Sequence, residues 1–193
     1  MNTIPLIISL IFVILTRSLD PFLRYGREAK SITRTEKDKN STTLLGILNI
    51  VNLLFLLSGF LLNRYTVIIL FSNSIIPFCG NFILIIGFFI RVISIRTLRE
   101  YYTRTLKIQP SQKVVDTGIY KYIRHPGYFG SILQWLGAGI SSNNMIVLSL
   151  TVLTTLIVYH YRINREEMML LESLGNNYRD YMKHTKRLIP GIY

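Results

Sequence analysis

Arg162 and Glu166 stand four residues apart, the spacing at which two side chains share one face of an α-helix. The planar fork of a guanidinium matches a carboxylate, so Arg162 is a candidate to hold an anionic group. Glu166 and its neighbour Glu167 are candidate anions for a positively charged group, and His125 is a candidate hydrogen-bond donor. Taken singly, none of these is distinctive. Arg-x-x-x-Glu is a common exposed pair of little energetic weight. In Arg124-His125-Pro126 the proline suits the first turn of a helix, and the arginine suits a lipid headgroup region. Tyr120, Tyr122 and Tyr128 would serve as an interfacial aromatic belt. Their order along one chain carries more than any of them alone.

The elements that must position these groups are membrane helices. Half of the 193 residues are hydrophobic and only 17% are charged, and the mean hydropathy is +0.36. The apolar residues are gathered into long runs, as hydrocarbon requires of a spanning helix of roughly 20 residues. We expect an all-α integral membrane protein of about five transmembrane helices, near 3–18, 43–62, 78–98, 127–140 and 143–161. The first has neither the leading charge nor the cleavage site of a secretory signal and is expected to be retained. Arg91 falls inside the third and should face protein or snorkel. Residues 63–77 are broken by Ser72, Asn73, Ser74 and Pro77 and read as an outer loop with an interfacial piece. Ser141-Ser142-Asn143-Asn144 reads as the turn of a helical hairpin, with Gly130, Gly137 and Gly139 permitting close helix approach.

The net charge of +12 does not point to nucleic acid. Of the 22 Lys and Arg, seven lie between Arg17 and Lys39, seven between Arg96 and Arg124, and six between Arg162 and Arg187. Basic clusters alternating with apolar runs are the positive-inside pattern and also favour anionic membrane lipids as neighbours. With five spans and an outer N-terminus, all three clusters fall on the cytoplasmic side, which makes the chain a multi-pass protein with its functional face inside. Cys79 is the single cysteine, so no intrachain disulfide and no cysteine-based metal site is expected. The tail from Arg162 to Tyr181 reads as helical. Met168, Leu171, Leu174, Tyr178 and Tyr181 are spaced to lie along the membrane surface, and Gly175-Asn176-Asn177 should break the helix. His160 and His184 are assigned no role. Met168 and Met169 read as lipid-facing packing. We treat the chain as one domain, with scaffold helices in 1–100 and a chemical region in 101–193.

The C-terminal motifs resemble those of the isoprenylcysteine carboxyl methyltransferase family, a branch of the small membrane methyltransferases. The resemblance runs from Gln112 to Pro190. It rests on Gly118-x-Tyr120, Arg124-His125-Pro126-x-Tyr128-x-Gly130, a hairpin, Arg162-x-x-x-Glu166-Glu167, Leu174-Gly175-x-x-Tyr178-x-x-Tyr181 and a closing Ile189-Pro190. It implies S-adenosylmethionine at the cytoplasmic face and methyl transfer to the carboxylate of a lipophilic or prenylated acceptor. By the same resemblance, Gln112, Lys113, Val114 and Val115 would line the cofactor through extended backbone. Tyr120, His125, Pro126, Gly127 and Tyr128 would surround it. Glu166 or Glu167 would bind one of its polar groups, and Arg162 would hold the acceptor carboxylate, with Arg162 and Glu166 the catalytic pair.

The residues themselves are consistent with that expectation. No Gly-x-Gly-x-x-Gly follows a strand pattern, which excludes a Rossmann-type methyltransferase. A carboxylate acceptor with a pKa near ~4 is already ionised at neutral pH and needs no general base. An amine acceptor must lose a proton, and Glu167 or His125 would then be base candidates. Other readings are a phospholipid or amine-headgroup N-methyltransferase, a sterol-type reductase with a similar hairpin, and a non-enzymatic scaffold or transporter subunit. For the last, Asn49, Asn52 and Arg91 are the candidate polar groups in the membrane, and no inverted repeat is visible.

Overall fold

The computed structural model describes residues 3–25, 38, 40–65, 70, 75–109 and 112–193. Six α-helices are present among them: α1 Ile4–Leu23, α2 Ser41–Arg64, α3 Ile75–Leu98, α4 Pro126–Ser141, α5 Met145–Leu174 and α6 Asn176–His184. No strand is formed by the described residues. The only β-type pairing among them is a bridge between Ile123 and Lys186. Four of the helices, α1, α2, α3 and α5, are long and apolar enough to cross a membrane. Their outer faces carry exposed Ile11 and Ile14 on α1, Ile50 and Leu61 on α2, Phe82 and Phe89 on α3, and Leu153 and Ile157 on α5. Large apolar side chains left outside on every long helix are what a lipid solvent permits and water does not. The chain is an integral membrane protein.

All five expected segments are helical, but the fourth differs in kind from the others. With 16 residues, α4 rises only about 24 Å, short of the roughly 30 Å of hydrocarbon. None of its residues is exposed. It is an internal helix enclosed by the four long ones. The fifth segment does not stop near 161. It continues unbroken to Leu174 over 30 residues, carrying Arg162, Glu166 and Glu167 on the same helix that crosses the membrane. Gly175 then adopts φ +56°, which ends α5 and turns the chain into α6.

Glycine fixes how closely α3 and α4 meet. They run antiparallel with Gly80 opposite Gly137 and Gly87 opposite Gly130. A Cβ added at Gly80 would stand 2.5 Å from Gly137 O, and one at Gly87 2.5 Å from Gly130 O. The two glycines of each helix are seven residues apart, so the contact runs as a seam of backbone against backbone. Gly139, also expected to ease packing, faces Leu148 of α5 instead. Leu6, Leu10 and Val13 of α1, Leu48 and Leu56 of α2, Leu84, Trp135, Ala138, Val147 and Tyr159 complete the core.

Several polar groups inside the bundle pair across helices, as an environment without water favours. Asn52 donates to Thr155 Oγ1 at 2.9 Å and accepts from Thr154 Oγ1 at 2.8 Å, joining α2 to α5. Arg91 faces protein, as expected: it donates to Asp20 Oδ1 of α1 and, at 2.7 Å, to Ser131 Oγ of α4. The hairpin turn forms at 142–144, where the Asn144 side chain caps α5 by accepting from the amides of Ile146 and Val147. Most of the proposed outer loop, residues 66–69 and 71–74, lies outside the described residues.

Candidate functional site

A cavity of about 660 Å³ opens at the end of the bundle where α5 outlasts the membrane. Its walls come from the ends of α1, α2 and α3, the connection 101–128, the last turns of α5, and α6. Of the residues expected to bind cofactor, Gln112, Lys113, Val114, Val115, Tyr120, His125, Gly127, Tyr128 and Glu166 all line it, as does Arg162. Pro126 and Glu167 do not. Pro126 is buried in the first turn of α4, where its missing N–H costs nothing.

Glu167 does something different. Its carboxylate is 3% exposed and is the hub of an ion network. Oε1 accepts from Arg124 Nε at 2.8 Å and lies 3.2 Å from His125 Nε2, while Oε2 accepts from Arg187 Nε at 2.9 Å. Arg124 also donates to the Thr185 carbonyl, and the amides of Arg124 and His125 donate to the carbonyls of Lys186 and Arg187. The Arg-His-Pro turn is thereby fastened both to α5 and to the segment after α6. The His125 ring stacks on Tyr128, centroids 5.5 Å apart and 9° from parallel.

Glu166, one position along, points the other way, into the cavity. Its Oε2 lies 3.8 Å from His125 Nδ1, beyond hydrogen-bond reach, and is buried with no hydrogen-bond partner. Beside it, Lys113, Val114, Val115 and Asp116 form no regular structure and make no backbone hydrogen bonds with other described residues. The buried Glu166 oxygen and the unpaired stretch Lys113–Val115 thus face one cavity.

Arg162 is occupied. It is 2% exposed, and each of its nitrogens is engaged by protein. Nε donates to Tyr128 Oη at 3.1 Å, Nη1 to Asp38 Oδ1 at 2.9 Å and Ser41 Oγ at 2.6 Å, and Nη2 to the Arg104 carbonyl at 3.1 Å. Arg162, expected to hold an acceptor carboxylate, lines the cavity and here braces α5 against the start of α2 and fixes the Tyr128 hydroxyl. Burial pushes the Asp38 carboxyl up, but hydrogen bonds from Ser41 and Thr42 and the Arg162 charge together hold it below its ordinary value. Burial raises the Tyr120 phenol well above its ordinary value, so it remains a donor at neutral pH.

Residues spaced as a surface stripe turn inward. Leu174, Tyr178 and Tyr181 line the cavity, with Tyr181 donating to the Tyr120 carbonyl at 2.7 Å. Met169 joins them while Met168 is exposed. Sequence reasoning missed the far wall altogether: Arg17, Asp20, Arg24 and Arg91 with Tyr102. The one available signal was two charged residues, Arg17 and Asp20, in the last turns of an otherwise apolar helix, with Arg24 just after it.

Residues 80–172 match the isoprenylcysteine carboxyl methyltransferase family. A probable protein-S-isoprenylcysteine O-methyltransferase from Oryza sativa subsp. indica is 28% identical over 122 residues, covering 61% of this chain and 62% of that protein. The protein-S-isoprenylcysteine O-methyltransferase of Dictyostelium discoideum is 27% identical over 59% of this chain and 49% of its own length. That of Schizosaccharomyces pombe is 34% identical over 82 residues, 34% of its length. The chain thus spans about half to three-fifths of the first two relatives and about a third of the last. The structure of a eukaryotic intramembrane Ras methyltransferase superposes with a TM-score of 0.62 at 24% identity, over 78% of this chain and 53% of that one. It shares the helical membrane fold.

Proposed function

We propose that this chain, which resembles the isoprenylcysteine carboxyl methyltransferase family over residues 80–172, is an integral membrane methyltransferase. In this reading it transfers a methyl group from S-adenosylmethionine to the carboxylate of a lipophilic, isoprenylcysteine-like acceptor at the cytoplasmic face. The observation that carries the proposal is the cavity itself. One end is polar and holds the unpartnered Glu166 oxygen and the unpaired backbone of 113–115. The other lies between α1 and α2, where Pro21, Leu45, Ile47 and Ile50 line it, and Ile47 and Ile50 are also exposed on the outer, lipid-facing surface. A polar head and an apolar tail can be held at once only by such a shape.

The donor set fits the cofactor. When bound, it supplies an electrophilic methyl on a positively charged sulfur. Glu166 meets its ammonium or hydroxyl groups, Lys113–Val115 offer backbone donors and acceptors, and Tyr178, Tyr181, Met169 and Leu174 form an apolar wall. Tyr128, held by Arg162 and stacked on His125, and Tyr120, buried beneath Tyr181, keep water out and fix the angle of approach. For an already ionised nucleophile, alignment and dehydration are the effects that matter. The cavity's charge also favours an acid over an amine as acceptor. Eight Arg and Lys line it against two carboxylates, Asp20 and Glu166, and like charge repels an ammonium headgroup. The positive-inside distribution of the loops supports the cytoplasmic placement.

Isothermal titration of the detergent-purified protein with S-adenosylhomocysteine tests the cofactor, beside Glu166→Ala. Saturable binding weakened at least tenfold by the substitution is the expected result. No binding to folded, monodisperse protein overturns the reading. Turnover of an N-acetylated S-farnesylcysteine, and none of phosphatidylethanolamine, is expected in the accompanying assay.

A further inference from the structure

Asp20 sits between two arginines and uses both of its oxygens on them. Oδ1 accepts from Arg91 Nε at 3.1 Å and Nη2 at 2.5 Å, while Oδ2 accepts from Arg24 Nε at 3.0 Å and Nη2 at 2.6 Å. A third guanidinium, Arg17, is one helical turn away on α1 and lines the same cavity. Its Nε and Nη2 are buried with no hydrogen-bond partner, and so is Arg24 Nη1, on a side chain only 7% exposed. Arg17 lies over the Trp135 ring at 5.3 Å, and Arg24 and Arg91 lie over Tyr102 at 5.2 and 5.7 Å. Three guanidiniums thus face one carboxylate, on aromatic supports, beside the lipid-facing end of the cavity. Buried N–H groups of a charged side chain left without acceptors are costly, and three cations around one anion leave a surplus of positive charge at membrane depth.

We infer that Arg17, Arg24 and Arg91 form an anion subsite that receives the carboxylate of the lipophilic acceptor, with Arg17 as the residue that fixes its position. The inference rests on the proposed methyl transfer and deepens it. Arg162, whose nitrogens are all engaged, is not available for this task. Arg17 Nε and Nη2 present the two parallel donors that a carboxylate takes bidentately. Pro21 and the α2 residues Gly46, Ile47 and Ile50, which line the cavity beside it, give the apolar tail its path. The subsite also discriminates between substrate and product. A carboxylate is held by charge, whereas its methyl ester is neutral and loses that attraction, so methylation itself loosens the grip.

The test measures equilibrium binding of N-acetyl-S-farnesylcysteine and of its methyl ester, with S-adenosylhomocysteine present. The proteins are the unmodified chain, Arg17→Gln, Arg17→Lys and, as a control outside the cavity, Arg99→Gln. The unmodified chain should bind the acid at least tenfold more tightly than the ester. Arg17→Gln should abolish that preference, Arg17→Lys should restore part of it, and affinity for S-adenosylhomocysteine should stay within twofold in all. Equal binding of acid and ester by the unmodified chain, or a preference that survives Arg17→Gln, overturns the inference. So does a loss of S-adenosylhomocysteine binding in Arg17→Gln, which would assign the subsite to the cofactor's carboxylate. If the acid preference depends on Arg17 but the acid is never methylated, the proposed function falls and the subsite stands. If S-adenosylhomocysteine binds and neither acceptor does, the subsite falls and the cofactor assignment stands.

Discussion

Arg124 Nε lies 2.8 Å from Glu167 Oε1, across 43 residues of sequence, and this one ion pair joins the loop before α4 to the end of α5. Both side chains are nearly inaccessible, at 7% and 4%. The Arg-His-Pro turn therefore owes its position to a carboxylate that does not line the cavity, while the adjacent Glu166 does.

The two neighbouring glutamates should separate experimentally. Glu167→Gln leaves the buried Arg124 without its counter-ion, which costs about 3–5 kcal/mol in comparable cases. Thermal unfolding in detergent should show a large loss of stability for Glu167→Gln and a small one for Glu166→Gln. The reverse order would mean that the roles are exchanged.

For Glu166→Gln the expected defect is in S-adenosylhomocysteine affinity, with the pH profile of turnover unchanged. The acceptor carboxylate is ionised well below neutrality, so no proton is transferred that Glu166 could mediate. An alkaline displacement of that profile by a full unit would make Glu166 a base and the acceptor an amine.

The α3–α4 seam predicts a steep steric response. Gly87→Leu drives a side chain into the Gly130 carbonyl and the Gln134 amide, both backbone groups that cannot rotate away. Fluorescence-detected size exclusion should show loss of monodisperse protein. Gly175→Ala should cost stability without a clash, because a Cβ there meets nothing within 4 Å but φ +56° is strained for any L side chain.

Acid should weaken the Arg162 brace through Asp38. The folded-state pKa of Asp38 is depressed below an unfolded value of about 3.9. Its contribution to stability is therefore complete above the unfolded value and is lost as pH falls through the folded one. Unfolding followed from pH 6 to 3 should show a loss of stability that Asp38→Asn, already destabilised at pH 6, shows to a smaller extent. Equal acid sensitivity in both would mean that other carboxylates govern it.

Much of this was legible in sequence because lipid imposes simple rules. Runs of apolar residues marked four spans, and basic clusters marked the loops between them. The motif from Gly118 to Glu167 named nearly every residue on one side of the cavity. Three things were hidden for physical reasons. Arg162 offers a carboxylate fork in isolation, but Asp38 and Ser41 reach it across more than a hundred residues, and no spacing rule reports that. Tyr178 and Tyr181 have the period of a surface stripe, but Gly175 redirects α6 so that the stripe meets Tyr120. The short segment 127–140 has the composition of a span, and only its enclosure by the longer helices shows that it is an internal strut. Arg17 and Arg24 read as the start of a basic loop, because α1 continued past the point where its apolar run ended.

The 30 residues of α5 extend for roughly 45 Å, against roughly 30 Å of hydrocarbon. Part of this helix must project beyond the acyl chains, and Glu166 and Tyr128 belong to the cavity at that projecting end. An amphiphile can react only if its head reaches that level while its tail remains in oil. The vertical distance between head and tail then becomes a property the protein measures. Molecules with the right carboxylate but anchored too deep, or too shallow, fail to line up.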